Sequence, residues 1–248
     1  MSGEAVALAP AALDTSWFTP IDAYCERLDP GFWAEPVNAL TNGAFFIAGI
    51  GAAVLMLTRD RRDGPAILLI ALTLLIGIGS FLFHTFANRW SALADVVPIG
   101  VFILVYFFTA MRRFLGLSVA WAASATVGFQ GFAVLVTWLW RTAVVIPLGF
   151  DPINGSAGYL PALVAIIGVG VAAMPRDPET ARRLFIAGGV FVLSLACRAL
   201  DARICDAVPV GSHFLWHILN GTLLFLLMRA AILRDSGSAT ATRPAPTA

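Results

Sequence analysis

The sequence is poor in charged residues and contains no lysine. Only 12% of its 248 residues are charged and 59% are hydrophobic, and the mean hydropathy is +0.84. A soluble domain of this length does not carry so much apolar side chain, so a soluble globular fold is excluded. All 16 basic residues are arginine, which with the high alanine content is typical of a GC-rich bacterial genome. The net charge of +1 favours no class of charged partner.

The sequence contains seven long runs of apolar residues. They are rich in Ala, Leu, Gly and Phe, and their length matches the roughly 20 residues of a spanning helix rather than a buried strand. We therefore predict an all-α integral membrane protein, a seven-transmembrane helix bundle. The predicted spans are Val37–Leu57, Pro65–Phe86, Ala92–Met111, Leu115–Trp138, Tyr159–Met174, Leu184–Leu200 and His213–Leu233.

Arginine is distributed unevenly between the two ends of these runs. Only five arginines lie outside the first, third and fifth connections and the carboxyl end, which hold Arg59, Arg61, Arg62, Arg112, Arg113, Arg176, Arg182, Arg183, Arg229, Arg234 and Arg243. The positive-inside rule then predicts an amino terminus outside and a carboxyl terminus in the cytoplasm. In a bacterium this is the topology of an inner-membrane protein.

The two ends of the chain differ from the membrane domain in composition. The first 18 residues lack a basic region followed by an apolar core, so we expect no cleavable signal peptide. The last residues are rich in Ser, Thr, Pro and Ala and are predicted to be disordered. We expect an extracytoplasmic segment over residues 1–36, a membrane domain over 37–233 and a disordered cytoplasmic tail over 234–248.

Histidine is scarce, and all three histidines fall at one membrane depth. His213 and His217 are four residues apart, which places both imidazoles on one helix face where they can share a metal, and His84 ends the second run. A single histidine in an apolar helix is more often satisfied by a hydroxyl or a carbonyl. Because the arginine-based topology brings all three to the outer end, we predict a joint metal site.

Two further polar residues lie at the same depth. Ser80 is one helical turn before His84, and Asp95 is the only acidic residue well inside an apolar run. An ionisable group in hydrocarbon is unfavourable unless it is paired, and it marks a functional site by default. The alternative is a structural ion pair of Asp95 with Arg89 or Arg198. We favour an interaction of Asp95 with a metal-bound water.

The approach to the first run concentrates carboxylates and amides, and we expect it to fold over the outer end of the bundle. Glu35 in this segment either supports a metal ligand or binds a cation itself, or it is simply an exposed carboxylate. Asn38 and Asn42 are typical of interhelical hydrogen bonding. Cys25 and Cys205 both fall on the outer, oxidising side, which favours a disulfide between them. Cys197 lies within the sixth run and is expected to be a buried small residue.

Together these motifs resemble one known family. Gly-Ile-Gly-Ser-Phe-Leu-Phe-His, ending at His84, is followed by Asp95, Asp201-Ala-Arg-Ile-Cys205 and His213-Phe-Leu-Trp-His217, and preceded by Tyr-Cys-Glu and Ala-Glu-x-x-Asn-x-x-x-Asn. From Tyr24 to about Leu233 the chain resembles the alkaline ceramidases, seven-helix membrane hydrolases of the superfamily that includes adiponectin-receptor-like proteins. The resemblance implies that His84, His213 and His217 are zinc ligands and that Ser80 and Asp95 are active-site residues. It also implies a disulfide between Cys25 and Cys205.

The resemblance is weaker at the calcium site of the animal enzymes. Glu26 and Glu35 match two of its ligands, and Asp22 or Asp29 could substitute for others. However, the family's Asp-Trp-Cys-Glu-x-Asn is here Ala-Tyr-Cys-Glu-Arg-Leu, ending at Leu28, and the spacing to the second glutamate is shorter. Since two side-chain ligands are missing, we favour a protein without Ca2+.

These residues suggest the chemistry of a zinc-dependent amide hydrolase. Three imidazoles with one open position are the ligand set of a catalytic zinc, which lowers the pKa of a bound water towards about 7. Asp95 would then act as general base and acid, and Ser80 would donate to the oxyanion. The expected substrate is a ceramide-like lipid amide that enters from the outer leaflet and is cleaved to a fatty acid and a sphingoid-like amine.

Two other functions remain open from the sequence. The first is a seven-helix lipid sensor or receptor that keeps the zinc without turnover, against which the presence of both Ser80 and Asp95 argues. The second is a transporter or channel. It would distribute ionisable residues along a path through the membrane, whereas here they cluster at one depth.

Overall fold

The computed structural model describes residues 16–59 and 63–234. Within these ranges it contains seven helices long and apolar enough to cross a membrane, and it has no strand beyond one isolated bridge between Pro20 and Asn88. The predicted seven-helix membrane fold is therefore confirmed. The helices, numbered α1 to α7 in chain order, are Pro36–Leu57, Gly64–Phe86, Arg89–Arg113, Val119–Leu148, Ser156–Ala173, Pro178–Ile204 and His213–Leu233.

Two helix boundaries differ from the prediction by several residues. Helix α4 begins at Val119 rather than Leu115, because Ser118 caps it by accepting a hydrogen bond from the Trp121 N–H. It then continues to Leu148 through a π-helical turn. Helix α6 begins at Pro178 because Asp177 caps it. Its first turn is polar, so hydropathy alone does not reveal it.

Each helix packs against the next one in the chain, and α7 packs against α1 and α2 to close the bundle. Helices α2 and α3 approach so closely at Gly79 that a Cβ there would lie 2.0 Å from the carbonyl oxygen of Ala94. Glycine is therefore required at this crossing. The crossing places Ser80, on α2, directly beside Asp95, on α3.

The amino-terminal segment is tied to the far end of the chain beside α7. Cys25 and Cys205 form the predicted disulfide, with an S–S distance of 2.02 Å. The fully buried Asp201 accepts hydrogen bonds from the backbone N–H groups of Cys25, Ser212 and His213, at 3.1, 2.7 and 2.9 Å. These contacts fix the start of α7 against the segment that covers it.

Several expectations from the sequence differ from the structure or cannot be compared with it. Cys197 is free, but it is only partly buried. The expectations for the first 15 residues and for the tail after Arg234 lie outside the described residues. The arrangement of the helices does not by itself assign either end to the cytoplasm, so the orientation in the membrane stays a prediction.

Candidate metal centre and active site

The three histidines meet at one end of the bundle. His84 lies in the last turn of α2, and His213 and His217 lie in the first two turns of α7. All three are 1% exposed, and their ring centroids are 4.7 to 5.1 Å apart. Each offers one ring nitrogen, and these atoms lie within 4.8 Å of one another. This spacing fits three ligands of a single metal ion.

Two of the imidazoles are held by a hydrogen bond on the side away from the common centre. His84 Nδ1 donates to Glu35 Oε2 at 2.6 Å. Thr41 Oγ1 donates to helix carbonyls and accepts from His217 Nδ1 at 2.9 Å. This pattern assigns the proton of both rings to Nδ1 and leaves the lone pair on Nε2. Such outer partners orient metal-binding histidines in proteins.

One ring nitrogen of each histidine has no hydrogen-bond partner. His84 Nε2, His213 Nδ1 and His217 Nε2 are all buried without a hydrogen-bond partner. An unsatisfied buried polar atom is unfavourable, and three of them in one cluster need a common explanation. A metal ion bound by the three rings provides it, so the residues present fit the metal that the sequence predicts.

His213 is positioned by stacking rather than by a carboxylate. Its ring lies 3.6 Å from that of Tyr24, centroid to centroid, with an angle of 17° between the planes. The Tyr24 hydroxyl accepts a hydrogen bond from Arg198 Nη1 at 2.7 Å. Because Tyr24 is next to the disulfide-bonded Cys25, the amino-terminal segment forms one wall of the histidine cluster.

Glu35 lies under His84 and not on the surface. It is 2% exposed, and besides His84 it binds Arg27 Nε at 2.5 Å and Asn38 Nδ2 at 3.1 Å. Burial alone would raise the pKa of this carboxyl, but the hydrogen bonds from His84, Arg27 and Asn38 outweigh it and hold the pKa below its ordinary value. Glu35 therefore links His84 to Arg27 and Asn38 at the edge of the cluster.

Ser80 and Asp95 are adjacent at the same end of the bundle. Ser80 is 4% exposed, and its hydroxyl interacts with the Asp95 carboxyl group. Asp95 Oδ1 is buried and has no partner. Asp95 interacts electrostatically with His84 and Arg198, yet among the described residues it forms an ion pair with neither of them. The structural alternative, an Asp95–arginine bridge, is thus absent from the described part of the chain.

An apolar cavity lies in the bundle core next to the histidines. Its wall includes Trp216, whose ring centroid is 6.4 Å from that of His213, and Phe45, whose ring centroid is 6.3 Å from that of His217. Its other walls come from α2 to α7 and include Ile76, Phe102, Tyr159, Phe191, Leu223 and Leu224. The polar cluster therefore adjoins a space suited to an apolar chain.

Reasoning from sequence assigned no supporting role to five residues that hold the cluster together: Tyr24, Arg27, Thr41, Arg198 and Asp201. Thr41 is three residues from Asn38 and sits in the first helix facing His217, but no sequence spacing connects it to α7. Asp201 carried the clearer signal, since an acidic residue near the end of an apolar run needs partners. Its partners turn out to be backbone N–H groups.

Comparison with known proteins agrees with this geometry. A sequence model of the ceramidase family matches residues 24–243, which is most of the chain. Among curated proteins, none matches the chain at a significant level. The family match confirms the resemblance drawn from the motifs.

Proposed function

We propose that this chain, which belongs to the ceramidase family, is a zinc-dependent lipid amide hydrolase of a bacterial inner membrane. Its substrates are ceramide-like N-acyl lipids, and its products are a fatty acid and a sphingoid-like amine. One observation carries the proposal: three unpartnered histidine nitrogens lie beside a paired Ser80 and Asp95. Structural metal sites have no need of a free carboxylate oxygen at their edge.

The choice of zinc follows from the ligand set. Three neutral imidazoles without a fourth protein ligand are typical of catalytic zinc sites. A zinc ion held by His84, His213 and His217 would supply a Lewis acid and a water of lowered pKa. Glu35 and Thr41 hold two of these rings in the tautomer that the metal requires.

Asp95 transfers protons in the proposed reaction, and Ser80 stabilises negative charge. The unpartnered Oδ1 of Asp95 accepts a proton from the attacking water and later delivers it to the leaving amine. The Ser80 hydroxyl lies beside Asp95 and interacts with its carboxyl group. When negative charge develops on the amide oxygen, the same hydroxyl, one turn before His84, can donate to it.

The apolar surroundings support a lipid substrate. The cavity below the histidines can take an acyl chain. A groove on the side of the bundle, between α3, α4 and α5, shares Ile103, Phe129 and Ala162 with the wall of that cavity. We expect a lipid to enter laterally from the bilayer on this side of the bundle.

The predicted orientation supports access from the outer leaflet. Most of the arginines at the helix ends, among them Arg59, Arg112, Arg113 and Arg176, lie opposite to the histidines, and the positive-inside rule assigns that end to the cytoplasm. The Cys25–Cys205 disulfide lies at the histidine end, as expected for an oxidising compartment.

The first experiment measures metal in the purified full-length protein. We expect about one zinc per chain, the stoichiometry of a mononuclear site, and loss of that zinc in His217→Ala. Wild-type protein purified without chelator that contains no zinc would contradict the ligand assignment.

The second experiment follows products by mass spectrometry over a panel of lipid amides. Asp95→Asn should keep its zinc and lose about 10²- to 10⁴-fold in kcat, the usual contribution of a general base. Equal turnover by wild type and Asp95→Asn would remove Asp95 from the chemistry. Tight binding of intact ceramide by wild type with no release of fatty acid would instead identify a sensor.

A further inference from the structure

Arg27 occupies the centre of the cover above His84. Its side chain is 6% exposed and makes three hydrogen bonds in three directions. Nε donates to Glu35 Oε1 at 2.5 Å, Nη1 to the Asp29 carbonyl at 3.2 Å and Nη2 to the His84 carbonyl at 3.0 Å. The guanidinium therefore reaches His84 twice, once through the backbone and once through the carboxylate that binds the ring.

The two glutamates near Arg27 already use both of their carboxylate oxygens in hydrogen bonds. Glu35 uses Oε1 for Arg27 and Oε2 for His84. Glu26, which the resemblance assigned to a calcium site, caps α1 by accepting from the backbone N–H groups of Val37 and Asn38, at 2.7 and 2.8 Å. Asp29 accepts from the Gly31 N–H through Oδ1, and Asp22 is exposed.

Calcium does not fit these residues. Ca2+ takes six to eight oxygen ligands at about 2.3 to 2.6 Å, whereas here a permanently charged guanidinium lies among the oxygens that would have to bind it. A second cation in the same space would be repelled, and Arg27 is covalently fixed. The expectation of a chain without Ca2+ therefore has a physical basis in one side chain.

A cation is nevertheless needed at this position. Glu35 is buried against the permanently charged Arg27 guanidinium, and a buried carboxylate without a counter-ion is strongly unfavourable. Arg27 supplies the opposite charge and, with its fork of N–H donors, ties the amino-terminal segment to the end of α2. Removal of Arg27 would leave Glu35 without a counter-ion and the His84 carbonyl without a donor.

We propose that Arg27 is a built-in cation that positions His84 for metal binding and makes this site independent of calcium. Arg27 touches neither substrate nor metal, so it acts through Glu35 and His84. The proposal rests on the proposed function in one respect, that His84 is a zinc ligand. Its calcium part is independent of that assignment.

The calcium part is tested by equilibrium dialysis of the full-length wild-type protein in detergent against radioactive Ca2+, without chelator. We expect no saturable binding, and the thermal unfolding midpoint should be the same in Ca2+ as in Mg2+. Saturable binding of Ca2+ that Glu35→Gln abolishes would overturn the proposal, whatever the protein hydrolyses.

The positioning part is tested by zinc affinity, measured by competition with a fluorescent zinc chelator. Arg27→Gln should bind zinc about 10- to 100-fold more weakly, the range found when outer-shell partners are removed. Arg27→Lys keeps the charge but cannot make the three hydrogen bonds, so it should fall between Arg27→Gln and wild type. The matched control is Arg203→Gln, an exposed arginine at the same end that binds only the Pro152 carbonyl among the described contacts.

Wild-type zinc affinity in both Arg27 variants would overturn the positioning role. If Arg27→Gln does not fold, Arg27→Lys carries the test, because it leaves no unpaired buried charge. A wild-type protein that binds no zinc at all would refute the proposed function. The dialysis against Ca2+ would still decide whether Arg27 excludes calcium.

Discussion

The two ends of the bundle use the same kinds of charged residue in opposite ways. At the histidine end, Arg27 and Glu35 pair with side chains that are 6% and 2% exposed. At the arginine-rich end, Arg182 and Glu179 pair with side chains that are 63% and 49% exposed, and Arg113 and Asp63 form an intermediate case. Pairs of arginine and a carboxylate are thus buried at the histidine end and more exposed to solvent at the arginine-rich end.

Burial decides what these pairs can do. An exposed pair contributes between about 0 and 1 kcal/mol to stability and can rearrange freely. A buried pair costs about 3 to 5 kcal/mol to break, because one charge is left without a partner. The histidine end therefore holds its side chains in fixed positions, as metal binding requires. In the predicted orientation, the arginine-rich end needs only its charge.

The largest effect in this comparison should come from the disulfide at the histidine end. The bond joins residues 180 positions apart, and its loss in Cys25→Ser/Cys205→Ser should lower the free energy of unfolding by about 2 to 5 kcal/mol. Because Tyr24, next to Cys25, forms a wall of the site, zinc should also be lost at a lower temperature. Thermal unfolding with a zinc-release indicator measures both.

Cys197→Ser is the matched control, since Cys197 is free. It should leave both the unfolding midpoint and zinc release unchanged. An equally stable double variant, with the absence of the disulfide verified by thiol counting, would show that the cover over the site is held by its other contacts alone.

The sequence was sufficient for the parts of the site that lie on long helices. Hydrophobic runs predict α2 and α7, and the spacing of His213 and His217 predicts their common face, because helix periodicity is local. The metal cluster then follows once both helices are assigned to one end. Helix boundaries were predicted less accurately where the first turn is polar, as at Pro178, because hydropathy does not reveal such a turn.

The support around the metal could not be predicted in the same way. Arg27 bonds the carbonyl of His84, 57 residues away, and Thr41 bonds His217, 176 residues away. Both contacts depend on how the amino-terminal segment folds over the bundle, and that segment has no periodicity. The sequence alone does not determine the environment of Glu35 for the same reason, because only its neighbours in the fold distinguish an exposed carboxylate from a buried one.

A smaller effect is expected at the crossing of α2 and α3. In Gly79→Ala the new Cβ would lie 2.0 Å from the Ala94 carbonyl oxygen, so the helices must separate. Overpacking of this kind costs about 1 to 3 kcal/mol. Because Ser80 and Asp95 face each other across the same crossing, kcat should also fall. Unfolding and turnover are measured on the same preparation.

Gly128→Ala on α4 is the control for Gly79→Ala, since a Cβ there meets nothing within 4 Å. It should raise stability by up to about 1 kcal/mol through helix propensity and leave kcat unchanged. Turnover that survives in Gly79→Ala would mean that the Ser80–Asp95 contact is not required for the reaction.

The smallest effect should come from the exposed pairs at the arginine-rich end. Glu179 binds the exposed Arg182 and the partly buried Arg183 from the first turn of α6, and water can replace these contacts at the 49% exposed carboxylate. Glu179→Ala should therefore change neither the unfolding midpoint nor the zinc affinity measurably, at low salt or at high salt. Thermal unfolding at two salt concentrations tests this beside Arg27→Gln. A loss of stability comparable to that of Arg27→Gln would show that burial does not separate the two ends, and that surface charge also holds the helices together.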